Sequence, residues 1–374
     1  MTEPSRLPDG SVMIHIGPYK TGSTAIQAAL AAARPELPRH GVVYPGDARR
    51  HAEPGWAVLD WSPRVQETPP ISVWEDLVAE VHAATPDQRV VVSTEDFGFA
   101  TPARIERIVG DLGADASYMT TVIRPLDLLL PSQWQEQMKS MQTFTYDAWL
   151  RDVLFEAQSP PAKTFWTSHD VERVLGRWLG FLPPERVIVV AGARGDRGFL
   201  PRSFEGLLGL PEGLLALQQV DNASLSPAGS ELLRRLNAEY AEHGWTSEVY
   251  RRQIRYGAVA GMLRAGRNDL DGAPLTIPAW AVDRVRELSE QRVAAIREAG
   301  VRVVGDLDGL LLPGDYVGDA EDRTAELVSQ ELATAAVTGA IQAGLRDLRQ
   351  RGRAQRRKGR RGGRSKDAAP PAPP

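Results

Sequence analysis

The sequence predicts an α/β fold: a doubly wound parallel sheet flanked by helices, with a mostly helical C-terminal part. Three observations carry this. Apolar runs at 12–16, 89–93, 117–123 and 186–191 are short and nearly unbroken by polar residues, as expected of strands buried on both faces. Stretches with helical spacing separate them, and such alternation is the signature of a parallel sheet. The first run passes through Gly17-Pro18 into a helix of small residues, a strand-loop-helix junction of the phosphate-binding-loop (P-loop) type.

Each element follows in order. Residues 24–33 are small and Ala-rich, so their helix can lie close on a sheet, and Pro35 and Pro38 end it. Residues 41–46 read as a short strand closed by a turn. Residues 47–70 show no period and read as a long irregular loop holding His51, Trp56 and Trp61, a length that implies a binding role. Ser72 and Glu75 have capping-box spacing and open a helix to about 84. The strand at 89–93 ends in Thr94-Glu95-Asp96; a helix at 102–112 leads to the strand at 117–123, which runs into Arg124-Pro125.

A helix at 125–140 has Leu126, Leu129, Leu130, Trp134 and Met138 for its buried face. Helices at 146–157 and 169–179 flank an irregular Pro160-Pro161 segment. After the strand at 186–191, helices are expected at 227–240, 247–264 and 279–299, a short strand at 301–304, and a last helix at 324–349. This gives an α/β domain over 10–320, a C-terminal helix over 321–349, and a basic, Pro-rich tail over 350–374 expected to be disordered.

Composition sets further bounds. With 374 residues, 42% hydrophobic and 25% charged, the chain is long enough for a large core. No apolar run approaches the ~20 residues that span a bilayer. The first ten residues lack the basic-then-apolar pattern of a secretory leader. Cysteine is absent, which excludes disulfides, thiol nucleophiles and thiolate metal sites and suits a cytoplasmic protein. Net charge is −4, but residues 349–366 hold ten Lys/Arg and no acid, so the remainder carries −14. So acidic a body is a poor non-specific binder of nucleic acid; the tail could contact acidic partners weakly.

The chemistry concentrates at Gly17-Pro18-Tyr19-Lys20-Thr21-Gly22-Ser23-Thr24. Backbone N–H groups of Thr21, Gly22, Ser23 and Thr24 at a helix start can cradle an anion, and the Ser23 and Thr24 hydroxyls add donors. Gly17 and Gly22 have the separation of a nucleotide P-loop, but Ser23 stands where that loop carries lysine, and the lysine is Lys20, inside the loop. The segment resembles the 5′-phosphosulfate loop of sulfotransferases that use 3′-phosphoadenosine 5′-phosphosulfate (PAPS), with Tyr19 standing between the proline and the lysine.

Arg124 and Ser132, eight residues apart across a strand end and the next helix, match that family's 3′-phosphate pair, although Pro125 follows Arg124 directly where the family often has Asn-Pro. An arginine at the carboxyl edge of a strand points into the crevice where open α/β sheets bind ligands, and its fork suits a phosphate. The resemblance covers about residues 12–135. It implies a PAPS-dependent transferase with no metal requirement, acting on a hydroxyl (or an amine) of a carbohydrate, lipid or small metabolite.

The general base is expected at Glu95, at the end of the second long strand, where burial would raise its pKa toward neutrality and Lys20 would oppose that. His51 is the alternative base, dependent on the 47–70 segment folding over the crevice. His15, mid-strand, reads as a satisfied core histidine, and Asp96 and Asp127 as structural or solvated. Arg357-Lys358-Gly359 matches a short motif of cytosolic sulfotransferases, but such a tripeptide is expected by chance in a run this rich in Arg and Gly.

Two other functions fit parts of the sequence. Residues 90–96 could end in a magnesium carboxylate, as in an ATP-using kinase-like enzyme, but Gly22 lacks the following Lys-Ser/Thr. A non-catalytic nucleotide fold whose basic tail contacts nucleic acid rests on the tail alone.

Overall fold

Parallel strands β1 (Val12–His15), β2 (Val42–Val43), β3 (Arg89–Ser93), β4 (Ser117–Ile123), β5 (Val187–Ala191) and β6 (Arg302–Gly305) form one sheet in the order β2-β3-β1-β4-β5-β6. The computed structural model describes residues 6–62, 67–192, 194–216, 225–265, 274–319 and 329–363, with side chains in the last helix up to 347. Every pairing in the sheet is parallel, with Val12 opposite both Val90 and Ser117. The chain leaves β1 toward β2 on one side and leaves β4 toward β5 on the other. The carboxyl ends of β1 and β4 therefore flank the point where the winding reverses, the place where open sheets of this kind form a crevice.

The helices are α1 (Ser23–Ala33), α2 (Ala52–Leu59), α3 (Ser72–His82), α4 (Pro102–Leu112), α5 (Leu126–Met138), α6 (Tyr146–Phe155), α7 (Pro160–His169), α8 (Val171–Leu179) and α9 (Phe199–Leu208). They are followed by α10 (Pro227–Glu242), the short α11 (Ser247–Val249), a π-helical stretch at Tyr250–Ala258, α12 (Val259–Ala265), α13 (Val282–Glu298) and α14 (Gln330–Gly363).

Alternation along the strands sorts two cores. Val12, Ile14, Val90, Val92, Met119 and Val189 face α3, α4, α8 and α13, where Trp74, Ile105, Trp178 and Ile296 are buried. Met13, Val91, Val122, Ile188 and Val190 face α1 and α9, where Ile26, Leu30, Phe204 and Leu207 are buried. Both faces of the sheet are covered, which is why its strands read as continuous apolar runs.

Several expectations are corrected. The segment 47–70, read as irregular, contains α2, which Pro54 and Gly55 conceal; a Cβ at Gly55 would stand 2.9 Å from Thr94 Cγ2, so glycine is needed for this helix to pack there. The Pro160-Pro161 segment is the first turn of α7, where missing N–H groups cost nothing, and the Ser159 hydroxyl caps Ala162 N. Ser72 does not cap its helix: the N-cap is Ile71 and Ser72 already lies inside α3. The last helix continues to Gly363 instead of ending at 349, since Arg, Lys and Gln sustain a helix that little else interrupts. Residues 364–374 lie outside the described residues.

The chain divides into two compact units: Met1–Trp134, Tyr146–Asn222 and Thr276–Asp322, which hold the whole sheet, and Gln135–Thr145, Ala223–Leu275 and Arg323–Pro374. A single domain over 10–320 had been expected. The second unit instead groups residues near 223–275 with α14, because glycines let their backbones meet: a Cβ at Gly261 would lie 2.2 Å from Ala335 O, and one at Gly339 2.3 Å from Gly257 O. Among the described residues no helix is long and apolar enough to cross a membrane.

Candidate functional site

The loop after β1 is fixed from both sides. Gly17 O accepts from Val122 N at 2.9 Å and from Thr121 Oγ1 at 3.2 Å, both on β4, and Thr94 N donates to His15 O at 3.1 Å beyond β3. Gly17, Lys20 and Gly22 adopt left-handed backbone, with φ of 88°, 65° and 103°. Two of these turns demand glycine. A Cβ on Gly17 would come within 3.0 Å of Glu95 Cα, Cβ and Cγ, and one on Gly22 would meet Leu200 Cδ2 at 2.5 Å.

Gly22 is the N-cap of α1; no side chain caps this end and its first turn holds no acid. Its first N–H groups and positive dipole end are therefore left uncapped by side chains, as an anion site requires. The loop hydroxyls behave otherwise than expected. Thr21 Oγ1 donates to Pro18 O at 2.7 Å and Ser23 Oγ to the same oxygen at 3.3 Å, so both close the loop on itself, while Thr24 is half-buried.

The strand end at β4 meets this loop directly. Arg124 Nη1 donates to Lys20 O at 3.1 Å, joining residues 104 apart in sequence. Burial lowers the Arg124 pKa from its usual value, and Asp127 opposes the shift. Asp127 is not solvated: Arg194 clamps both its oxygens at 2.7 and 2.8 Å. Ser132 lies on α5 in the first unit and is buried.

Glu95 lies beside Gly17, buried at 3% exposure, and Arg50 Nη1 donates to its Oε2 at 2.7 Å. Burial pushes its pKa up, but the Arg50 charge and hydrogen bonds from its own backbone, Arg50 and Gln27 outweigh that and hold the carboxyl below the usual range. This corrects the expected rise toward neutrality. Arg50 had not been anticipated; it contacts Glu95 across 45 positions, and no local pattern announces the pairing.

Asp96 is saturated by protein donors: Tyr19 Oη, Trp56 Nε1 at 2.8 Å and Thr94 Oγ1 at 3.2 Å. The Tyr19 hydroxyl pKa is pushed far up, first by burial and then by Asp96. Tyr19 thus ties the loop to the β3 end.

His51 is buried at 3% exposure with both ring nitrogens engaged by backbone. Nε2 donates to Pro45 O at 2.9 Å, and Nδ1 accepts from Ser93 N at 3.0 Å. Burial lowers its pKa, and the neutral ring acts as a staple between two chain segments. His15 Nδ1 pairs with Ser93 Oγ at 2.8 Å, and burial pulls its pKa down to about 4 despite Glu95. Ser226 is the N-cap of α10, its side chain accepting from Gly229 N at 3.0 Å. Trp56, Trp134 and Trp149 are buried and Trp61 is exposed. Arg357-Lys358-Gly359 lies beyond the described side chains.

No family model matches the sequence, and no curated protein matches it.

Proposed function

We propose that the chain is a PAPS-dependent sulfotransferase acting on a hydroxyl, or an amine, of a carbohydrate, lipid or small-metabolite acceptor. The observation that carries this reading is the Arg124–Lys20 hydrogen bond of 3.1 Å at the winding reversal. It brings together two anion-binding elements, which matches a nucleotide bearing phosphate at both its 5′ and 3′ positions.

In this reading, the 17–24 backbone and the α1 N-terminus hold the 5′-phosphate, and Arg124 and Ser132 hold the 3′-phosphate. The bound donor supplies the activated sulfonate. Lys20 stabilises charge on the bridging oxygen as the S–O bond to phosphate breaks. Glu95 receives the acceptor's proton as the new O–S bond forms, leaving adenosine 3′,5′-bisphosphate and the sulfate ester. The engaged ring nitrogens of His51 favour Glu95 for this role.

Adenosine 3′,5′-bisphosphate should raise the melting temperature, and EDTA should leave that rise unchanged. The measurement is a thermal-shift titration of the full chain, alongside ATP with and without magnesium. Stabilisation by magnesium-ATP and none by the bisphosphate would replace this reading with a kinase-like one.

A further inference from the structure

A cavity lies in the sheet-bearing unit, lined by residues of α6, α7, α8 and α13 and partly open to solvent, with a volume of about 740 Å³. That is the size of a small-molecule site. Its apolar wall includes Val153, Trp166 and Leu288, enough flat surface for an organic body. Lys163, Arg173, Arg284 and Arg292 also line it, against the acids Asp170 and Glu172. Asp170 is already used, since its side chain accepts from Arg173 N at 3.1 Å as the cap of α8.

Arg292 is the decisive group. It is 7% exposed, and its Nη1 donates to Arg124 O at 3.2 Å. Its Nε has no hydrogen-bond partner, and the acid whose charge acts on it is Asp170, on the same cavity wall. A hydrogen bond to one carbonyl needs only a neutral donor. Burial costs this guanidinium desolvation that the nearby Asp170 charge offsets only in part.

We propose that this cavity binds a small organic anion, with Arg292 as the buried cation that receives its carboxylate, sulfonate or phosphate group. The inference goes beyond the transfer reaction and stands without it. Because Arg292 also holds the Arg124 carbonyl, and Arg124 holds that of Lys20, the ligand's anchor is two hydrogen bonds from the loop.

The test uses the full chain and 1-anilinonaphthalene-8-sulfonate, with benzoate and phenyl phosphate as competitors. The dye should bind at one saturable site, and either competitor should displace it; the stronger one identifies the preferred anionic group. Arg292→Met should weaken dye binding at least tenfold and raise the melting temperature of the ligand-free protein, because a charge whose burial is only partly offset is removed. Gln291→Trp, at an exposed position on the cavity wall, should block the dye with Arg292 intact, and it decides the matter if Arg292→Met does not fold.

Unchanged affinity in both variants would overturn the proposal. So would equal binding of the neutral N-phenyl-1-naphthylamine, or displacement of the dye by adenosine 3′,5′-bisphosphate, which would put the dye in the β1 loop instead. A lower melting temperature in Arg292→Met with dye binding retained would make Arg292 a structural donor to Arg124 only.

Discussion

Replacing Glu95 by glutamine should slow single-turnover sulfonate transfer by roughly 10²–10⁴, the range a positioned general base supplies. Affinity for adenosine 3′,5′-bisphosphate should change only a few-fold, because in the proposed function this side chain meets the acceptor and not the phosphates. His51→Ala, made alongside, should cost stability and leave the chemical step much closer to wild type in whatever fraction stays folded. Rapid-quench kinetics with a working acceptor would decide between them; a fast Glu95→Gln with an inert His51→Ala would move the base to the histidine. The pH profile adds a second reading. Since Arg50 and the hydrogen bonds hold the Glu95 carboxyl below its ordinary 4.5, the acidic limb of the rate should fall below the usual carboxylate range.

Arg50→Met should cost about 3 kcal/mol at pH 7, the low end for breaking a buried pair by removing one partner. Glu95 is nearly fully buried and would keep its charge with no cation beside it, while the Arg50 side chain is 24% exposed. The sign with pH is opposite in the two proteins. In the wild type the folded-state pKa of Glu95 is depressed, so its contribution is complete above pH 4.5 and disappears as pH falls through the folded value. Without Arg50, burial dominates and the folded pKa rises above 4.5, so the penalty is largest at high pH and shrinks on acidification. Melting curves between pH 4 and 8 should therefore converge at the acid end. A constant gap across that range would mean that Arg50 acts through packing alone.

What the sequence made legible was whatever a local pattern encodes. The strands β3, β4 and β5 stand out because burial on both faces removes polar residues, and the β1 loop because glycines and a helix start must adjoin. The crevice edge at Arg124 follows from the same grammar. What was hidden depends on distant partners. Nothing near Glu95 discloses Arg50, so the desolvation argument alone gave the wrong direction for its pKa. Nothing near His51 shows that Pro45 and Ser93 consume both its nitrogens. The α2 helix was masked by Pro54 and Gly55, residues that ordinarily break helices; here Pro54 lies in the first turn and Gly55 sits where a side chain would collide with Thr94. The start of α7 was legible and missed, since Ser159-Pro160-Pro161 is a cap followed by prolines in the first turn.

The left-handed backbone at Lys20 governs how that residue can be interrogated. At φ 65° the lysine already bears a left-handed penalty of about 1 kcal/mol, and an alanine with the same Cβ would bear it equally, so Lys20→Ala removes the ammonium at unchanged backbone cost. Glycine accepts this dihedral freely and asparagine tolerates it. Lys20→Gly and Lys20→Asn remove the same charge while also relieving that strain, and any activity gap between them and Lys20→Ala measures the loop's conformational freedom instead of the lost charge. The same dihedral bears on inheritance: glycine or asparagine holds this turn at lower conformational cost than lysine does, so the loop's shape can outlast the charge it presents.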